Sequence, residues 1–209
     1  MIEIANLSKT FKGESVLKNI TMKLDNGIIY GLVGTNGCGK TTLMRCICGM
    51  CKPTTGTVSV NGKVIGKDCD FAPSTGIIIE NPGFLPHYNA WQNMSILAEI
   101  SGGVTKNRIK EVIYLVGLDP EDKKPVGKYS LGMRQRLGIA QAIMENPSVL
   151  ILDEPFNGLD KEGVKEVHQL LQDLKNQGKC ILLASHSAYD IEQACDIVYE
   201  LKDGQLVQQ

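Results

Sequence analysis

The sequence predicts an α/β fold: a parallel-sheet core that carries a small antiparallel β lobe and an α-helical insertion. Three observations predict it. An apolar run, Ile28–Val33, leads into a glycine-rich loop and then a helical pattern. Three more runs, Ile77-Ile78-Ile79, Val149-Leu150-Ile151-Leu152 and Ile181-Leu182-Leu183-Ala184, lack polar alternation, as strands covered on both faces do. From Asn81 to about Asn146 a loop leads into helical patterns with no strand-like run. With 209 residues, 43% of them hydrophobic, the chain can bury one core with a lobe attached.

Taken in order, Met1–Leu7 and Val16–Leu24 alternate apolar and polar residues and read as strands with one wet face. Phe11 falls in the loop between them, where its ring either stacks on a bound base or packs into the lobe. Thr57–Val64 reads as a hairpin, because Asn61-Gly62 stands between β-formers. The lobe then takes residues 1–26 and 55–66 of a single domain, 1–209. A core of 27–54, 67–81 and 147–209 surrounds a helical subdomain, 82–146. That subdomain opens with the loop Pro82-Gly83-Phe84-Leu85-Pro86 and continues as helices over Gln92–Ile100, Lys106–Val116 and Met133–Glu145. Between the last two core strands, Val164, Val167, Leu170, Leu171 and Leu174 form one helical stripe closed by Gly178. His168 rides beside that stripe as a packed or half-exposed residue. Ile197–Leu201, a turn at Lys202–Gln205, and Leu206-Val207 end the chain as a hairpin.

The chemistry centres on Gly34-Thr35-Asn36-Gly37-Cys38-Gly39-Lys40-Thr41-Thr42, which fits the phosphate-cradling pattern G-x-x-x-x-G-K-[S/T]. Between a strand and a helix, the loop's N–H groups and the helix N-terminus face a bound anion. Its glycines let the backbone approach phosphates without a Cβ in the way. Lys40 is expected on the β/γ-phosphates, and the Thr41 hydroxyl on Mg²⁺. The loop therefore implies a nucleoside triphosphate. Cys38 either fills a small-residue slot or presents a reactive thiol beside Lys40.

A second buried strand, Val149–Leu152, ends in Asp153-Glu154. Adjacent carboxylates at the end of an apolar strand need a cation or a reacting water. Asp153 is expected to hold Mg²⁺ through water, and Glu154 to orient and deprotonate the attacking water. His186 follows the strand Cys180–Ser185 at the edge where open α/β sheets bind ligands, placed to donate to a γ-phosphate oxygen.

The formal net charge of −1 argues against a nucleic-acid partner. No apolar run approaches the ~20 residues of a membrane helix, and Met1-Ile2-Glu3-Ile4 does not read as a signal peptide. Seven cysteines, an odd number, point to reduced thiols in the cytosol. Cys46 and Cys48, two apart on a helix, point to opposite sides, so they and Cys51 read as small hydrophobes rather than metal ligands.

Between Lys40 and Asp153 stands Tyr129-Ser130-Leu131-Gly132-Met133-Arg134-Gln135-Arg136, which resembles the signature motif of ATP-binding-cassette (ABC) ATPases. Asn157-Gly158-Leu159-Asp160 is similar to their D-loop, and Ser185-His186 to their switch histidine. The resemblance implies a P-loop NTPase of the ABC type, with ATP and Mg²⁺, acting as a head-to-tail homodimer around two ATP molecules. Ser130, Leu131, Gly132 and Met133 of one subunit then complete the γ-phosphate site of the other, with Asp160 at the same junction. It also implies a polytopic membrane permease, contacted through the helical subdomain from the cytoplasmic face of the cell membrane.

Two positions depart from the usual pattern: Leu131 replaces a small residue of the signature, and Glu80 stands where glutamine is usual. Glu80 joins Thr41 and Asp153 as a candidate metal ligand. Both departures are similar to ATPases of the bacitracin-export and lantibiotic-immunity type. The expected function is ATP hydrolysis that drives export of a peptide antibiotic or similar amphiphile. The alternatives are a soluble cassette acting on ribosomes or DNA, and a module that binds ATP without hydrolysing it. Lys40, Asp153, Glu154 and His186 argue against the last.

Overall fold

A computed structural model describes residues 1–80 and 82–208. Its first half runs β1 (Ile2–Phe11), β2 (Glu14–Leu24), β3 (Ile28–Val33), α1 (Lys40–Cys48), β4 (Thr55–Val60), β5 (Lys63–Val64) and β6 (Thr75–Ile78). Helices α2 (Ala90–Ser101), α3 (Lys106–Leu115) and α4 (Leu131–Ile143) follow. The last part runs β7 (Val149–Asp153), α5 (Lys161–Asn176), β8 (Cys180–Ala184), α6 (Ala188–Ala194), β9 (Ile197–Lys202) and β10 (Gln205–Gln208). Asn81, the expected start of the helical region, lies outside the described residues.

The strands form two sheets. The larger has the order β10-β9-β3-β8-β7-β6, with parallel pairing from β9 through to β6. The smaller, β2-β1-β4-β5, is antiparallel. Side chains alternate across a strand, so the unbroken apolar runs of the larger sheet feed two cores. Leu150, Leu152, Ile181 and Leu183 face the cluster shared with α2 to α6. Tyr30, Leu32, Ile151 and Leu182 face the other cluster, with α1 and the inner residues of the small sheet, among them Ile2, Ile4, Leu7 and Leu17.

Helix α1 is thus held between two sheets, which fixes the loop that precedes it. Cys46 and Cys48 are buried there, and burial pushes both thiols up to about 12. Among the described residues no helix is long and apolar enough to cross a membrane.

Phe11 differs from expectation. It is the last residue of β1, paired with Glu14, and not part of a loop. Lys12 and Gly13 both take left-handed backbone (φ 46° and 90°). A two-residue turn of that kind matches strand twist, so Thr10 and Phe11 stay paired with Ser15 and Glu14 up to the turn. The exposed Phe11 ring carries the Lys9 ammonium 4.6 Å from its centroid.

Candidate nucleotide-binding site

Leu32 of β3 and Asp153 of β7 both pair with Ala184 of β8. Three adjacent parallel strands therefore end together, and their next residues are the Gly34 loop, Glu154 and Ser185-His186. This is the carboxyl edge at which α/β sheets take ligands.

Packing dictates two of the loop glycines. At Gly34 (φ 152°) a Cβ would lie 2.4 Å from the Leu201 carbonyl oxygen, and at Gly39 (φ 111°) it would press on Leu17 at 3.0 Å. Gly37 is also left-handed, but a Cβ there would meet nothing within 4 Å, so the loop stays open on that side. Lys40 is buried, and its ammonium donates to the carbonyls of Gly34 at 2.7 Å and Thr35 at 3.3 Å. Cys38 is half-buried against the core around α1.

The Thr41 hydroxyl donates to Asp153 Oδ2 at 2.7 Å. Two hard oxygens so placed suit a magnesium ion, which prefers few carboxylates beside phosphate and water. A cleft of about 260 Å³ opens between Asn36, Gly37, Lys40 and Thr41 on one side and Asp153 and Glu154 on the other. It is smaller than a whole-ligand pocket and suits a phosphate chain. Larger clefts of about 510 to 660 Å³ lie along α2 to α5, but none of them carries a phosphate loop.

Glu154 leaves β7 with left-handed backbone (φ 51°), and its N–H donates to the Ala184 carbonyl at 2.8 Å. Its carboxylate Oε2 lies 2.8 Å from His186 Nδ1. An ionised carboxylate only accepts, so Nδ1 carries the hydrogen. In the neutral ring Nε2 is then an acceptor. Donation to a phosphate oxygen, as expected of His186, requires a second proton or a turn of the ring.

Other expected site residues stand apart from this cleft. Ser130 caps α4, its hydroxyl accepting from Met133 N at 3.1 Å. Leu131 is exposed and rests on Gly158, where a Cβ would meet it at 2.5 Å. Gly132 faces the Gly158 carbonyl, which a Cβ would approach to 2.6 Å. The bulky signature residue is thus accommodated because Gly158 has no side chain. Asp160 caps α5 by accepting from Gly163 N at 2.9 Å.

Glu80 also takes left-handed backbone (φ 63°), and its carboxylate lies 2.5 Å from an Arg45 guanidinium nitrogen. Sequence reasoning assigned no role to Arg45 or to Gln135, a buried amide on α4 that donates to the Glu154 carbonyl at 3.1 Å. The one signal was a glutamine among the apolar residues of a helix.

The profile described as ABC transporter matches residues 17–157. The uncharacterized ABC transporter ATP-binding protein YybJ of Bacillus subtilis (strain 168) is 45% identical, over 99% of this chain and 94% of its own length. The bacitracin transport ATP-binding protein BcrA of Enterococcus faecalis is 41% identical, over 100% of this chain and 68% of its own. A solved ATP-binding subunit of an ABC transporter superposes with a TM-score of 0.89 at 26% identity, covering 100% of this chain and 89% of that one. With the profile matched around the phosphate loop and the acidic strand, and with relatives aligned along nearly all of its length, the chain belongs to the ABC transporter family as an ATPase cassette.

Proposed function

We propose that this cassette hydrolyses ATP to drive a membrane exporter for a peptide antibiotic or similar amphiphile. The observation that carries hydrolysis is the coincidence of two contacts at one sheet edge: Thr41 on Asp153 at 2.7 Å, and Glu154 on His186 at 2.8 Å. The phosphate chain enters the loop 34–42, and Lys40 turns from the Gly34 and Thr35 carbonyls to the β/γ-phosphates. Phe11 stacks on the adenine. Thr41 and Asp153 would hold Mg²⁺, and Glu80, which pairs with Arg45 here, would be a further oxygen ligand. When bound, that ion neutralises charge on the phosphates. Glu154 orients the attacking water and takes its proton, while His186 steadies one oxygen of that carboxylate.

Two copies pair head to tail. Ser130, Leu131, Gly132 and Met133 then face the partner's γ-phosphate, and Asp160 lies at the same junction. Support comes from the helix N-terminus at Ser130, whose anion-binding chemistry stands off its own subunit's cleft. Residues 82–146 contact a polytopic permease, which sets the cassette at the cytoplasmic face of the cell membrane. The likeness to BcrA, a bacitracin transport protein, supports the cargo class.

Glu154→Gln tests the reading. It should keep ATP binding, lose hydrolysis by about 10²-fold or more, and accumulate as an ATP-dependent dimer. Phosphate release and gel filtration with and without ATP measure both effects. Near-normal turnover in Glu154→Gln would overturn the base assignment.

A further inference from the structure

Helix α4 meets the turn after β7 at its N-terminal end and at Gln135. Gly132 packs on the Gly158 carbonyl. Gln135, only 5% exposed, donates from Nε2 to the Glu154 carbonyl at 3.1 Å, and Asn157 N donates to the same oxygen at 3.2 Å. Arg136 lies 2.6 Å from a Glu166 carboxylate oxygen in α5 and donates to the Val116 carbonyl at 2.7 Å. Of these contacts, the one from Gln135 reaches the reacting residue itself. A carbonyl only accepts, so the amide must present its NH₂. A buried amide is costly in a helix core unless it is bonded, so packing alone favours an apolar residue at this position.

Glu154 needs outside support. Its left-handed backbone is disfavoured for a residue with a Cβ and persists only where neighbours over-determine it. Three elements supply that support: Ala184 of β8 takes its N–H, the turn at Asn157 takes one side of its carbonyl, and α4 takes the other.

We infer that Gln135 is a positioning residue for Glu154: it fixes the backbone from which the carboxylate projects, and makes that placement depend on the helix capped by Ser130. The inference rests on the proposed role of Glu154. A helix moves as a rod, so a shift at Ser130 carries Gln135, one and a half turns along, with it. Misplacement of a catalytic group by about 1 Å costs up to about 10²-fold in rate, whereas ATP affinity resides in the loop 34–42.

The test compares Gln135→Met, which keeps the shape but donates nothing, with Gln135→Glu, which keeps the shape and sets an acceptor against an acceptor. For the Met variant, kcat should fall by about tenfold, the scale of one hydrogen bond, with KM for ATP within about twofold of wild type. The Glu variant should fall further. A role in packing alone predicts a wild-type kcat for Met, and that result overturns the inference. Should Gln135→Met fail to bind ATP, the Glu variant decides, and a kcat within about twofold of wild type there is equally fatal. Glu154→Gln, assayed in parallel, separates the two readings. High turnover in Glu154→Gln removes the catalytic assignment, whereas an inactive Glu154→Gln beside a fully active Gln135→Met removes only the role of Gln135.

Discussion

His168 packs edge-on against Phe156, with ring centroids 4.6 Å apart and planes at 88°. Among the described residues its buried Nε2 has no hydrogen-bond partner. Desolvation lowers its pKa, and the Asp190 carboxylate pulls the other way. The folded chain thus prefers the neutral ring. A histidine depressed in this way contributes its full stability above the unfolded value of about 6.5 and loses it as pH falls through that value towards the lower folded one. His168→Phe, which keeps an aromatic edge on Phe156, should flatten that acid-side loss. Thermal midpoints of both proteins between about pH 8 and about pH 5 provide the check, and parallel curves would sink the assignment. At this scale the sequence was legible where spacing is local. Lys40 and Thr41, the acids at a strand end, and His186 after another strand were all read from their own neighbourhoods. The contact between Arg45 and Glu80 was not, because it joins a helix face to a strand end 35 residues away. Nor was the reach of His186 to Glu154, which depends on two strands ending in register.

At the scale of elements, β6 and α4 meet backbone to backbone at Gly76. A Cβ there would lie 1.9 Å from the Ala142 carbonyl oxygen and 2.9 Å from a Leu150 methyl. Neither a backbone carbonyl nor a buried leucine can give way by that much, so strand and helix must separate. Gly76→Ala should therefore cost about 3 kcal/mol, at the upper end for overpacking, in urea unfolding. Gly103, where a Cβ would meet nothing within 4 Å, is the control, and Gly103→Ala should stay within about 0.5 kcal/mol of wild type. A Gly76→Ala protein as stable as wild type would mean that β6 and α4 do not approach so closely. Most elements were legible from periodicity, and Asn61-Gly62 announced its hairpin through turn chemistry. The order β3-β8-β7-β6 was not, since parallel neighbours are joined by long crossovers that leave no local mark. Phe11 was misplaced for a similar reason, because Lys12 does not announce a left-handed turn in its side chain.

Across the whole molecule, the two features proposed to bind anions stand in different places. The loop 34–42 and the acids of β7 share one cleft, while the α4 N-terminus at Ser130 rests on the Gly158 turn outside it. The Ser130 hydroxyl accepts from its own helix and keeps a proton to donate outward. The proposed head-to-tail dimer would bring the two places together, one from each copy, and that arrangement can be tested by complementation. Lys40→Ala removes the phosphate cation, and Ser130→Arg blocks the helix N-terminus, so each homodimer should be inactive. In a mixed dimer one composite site carries both defects and the other carries neither. Random pairing of equal amounts makes half of the dimers mixed, so activity should return to about a quarter of wild type. Separate sites within each subunit predict no recovery at any ratio. If the mixed dimers form, as shown by co-purification through a tag on one variant, and phosphate release stays at the level of the single variants, then Lys40 and Ser130 do not serve a common site.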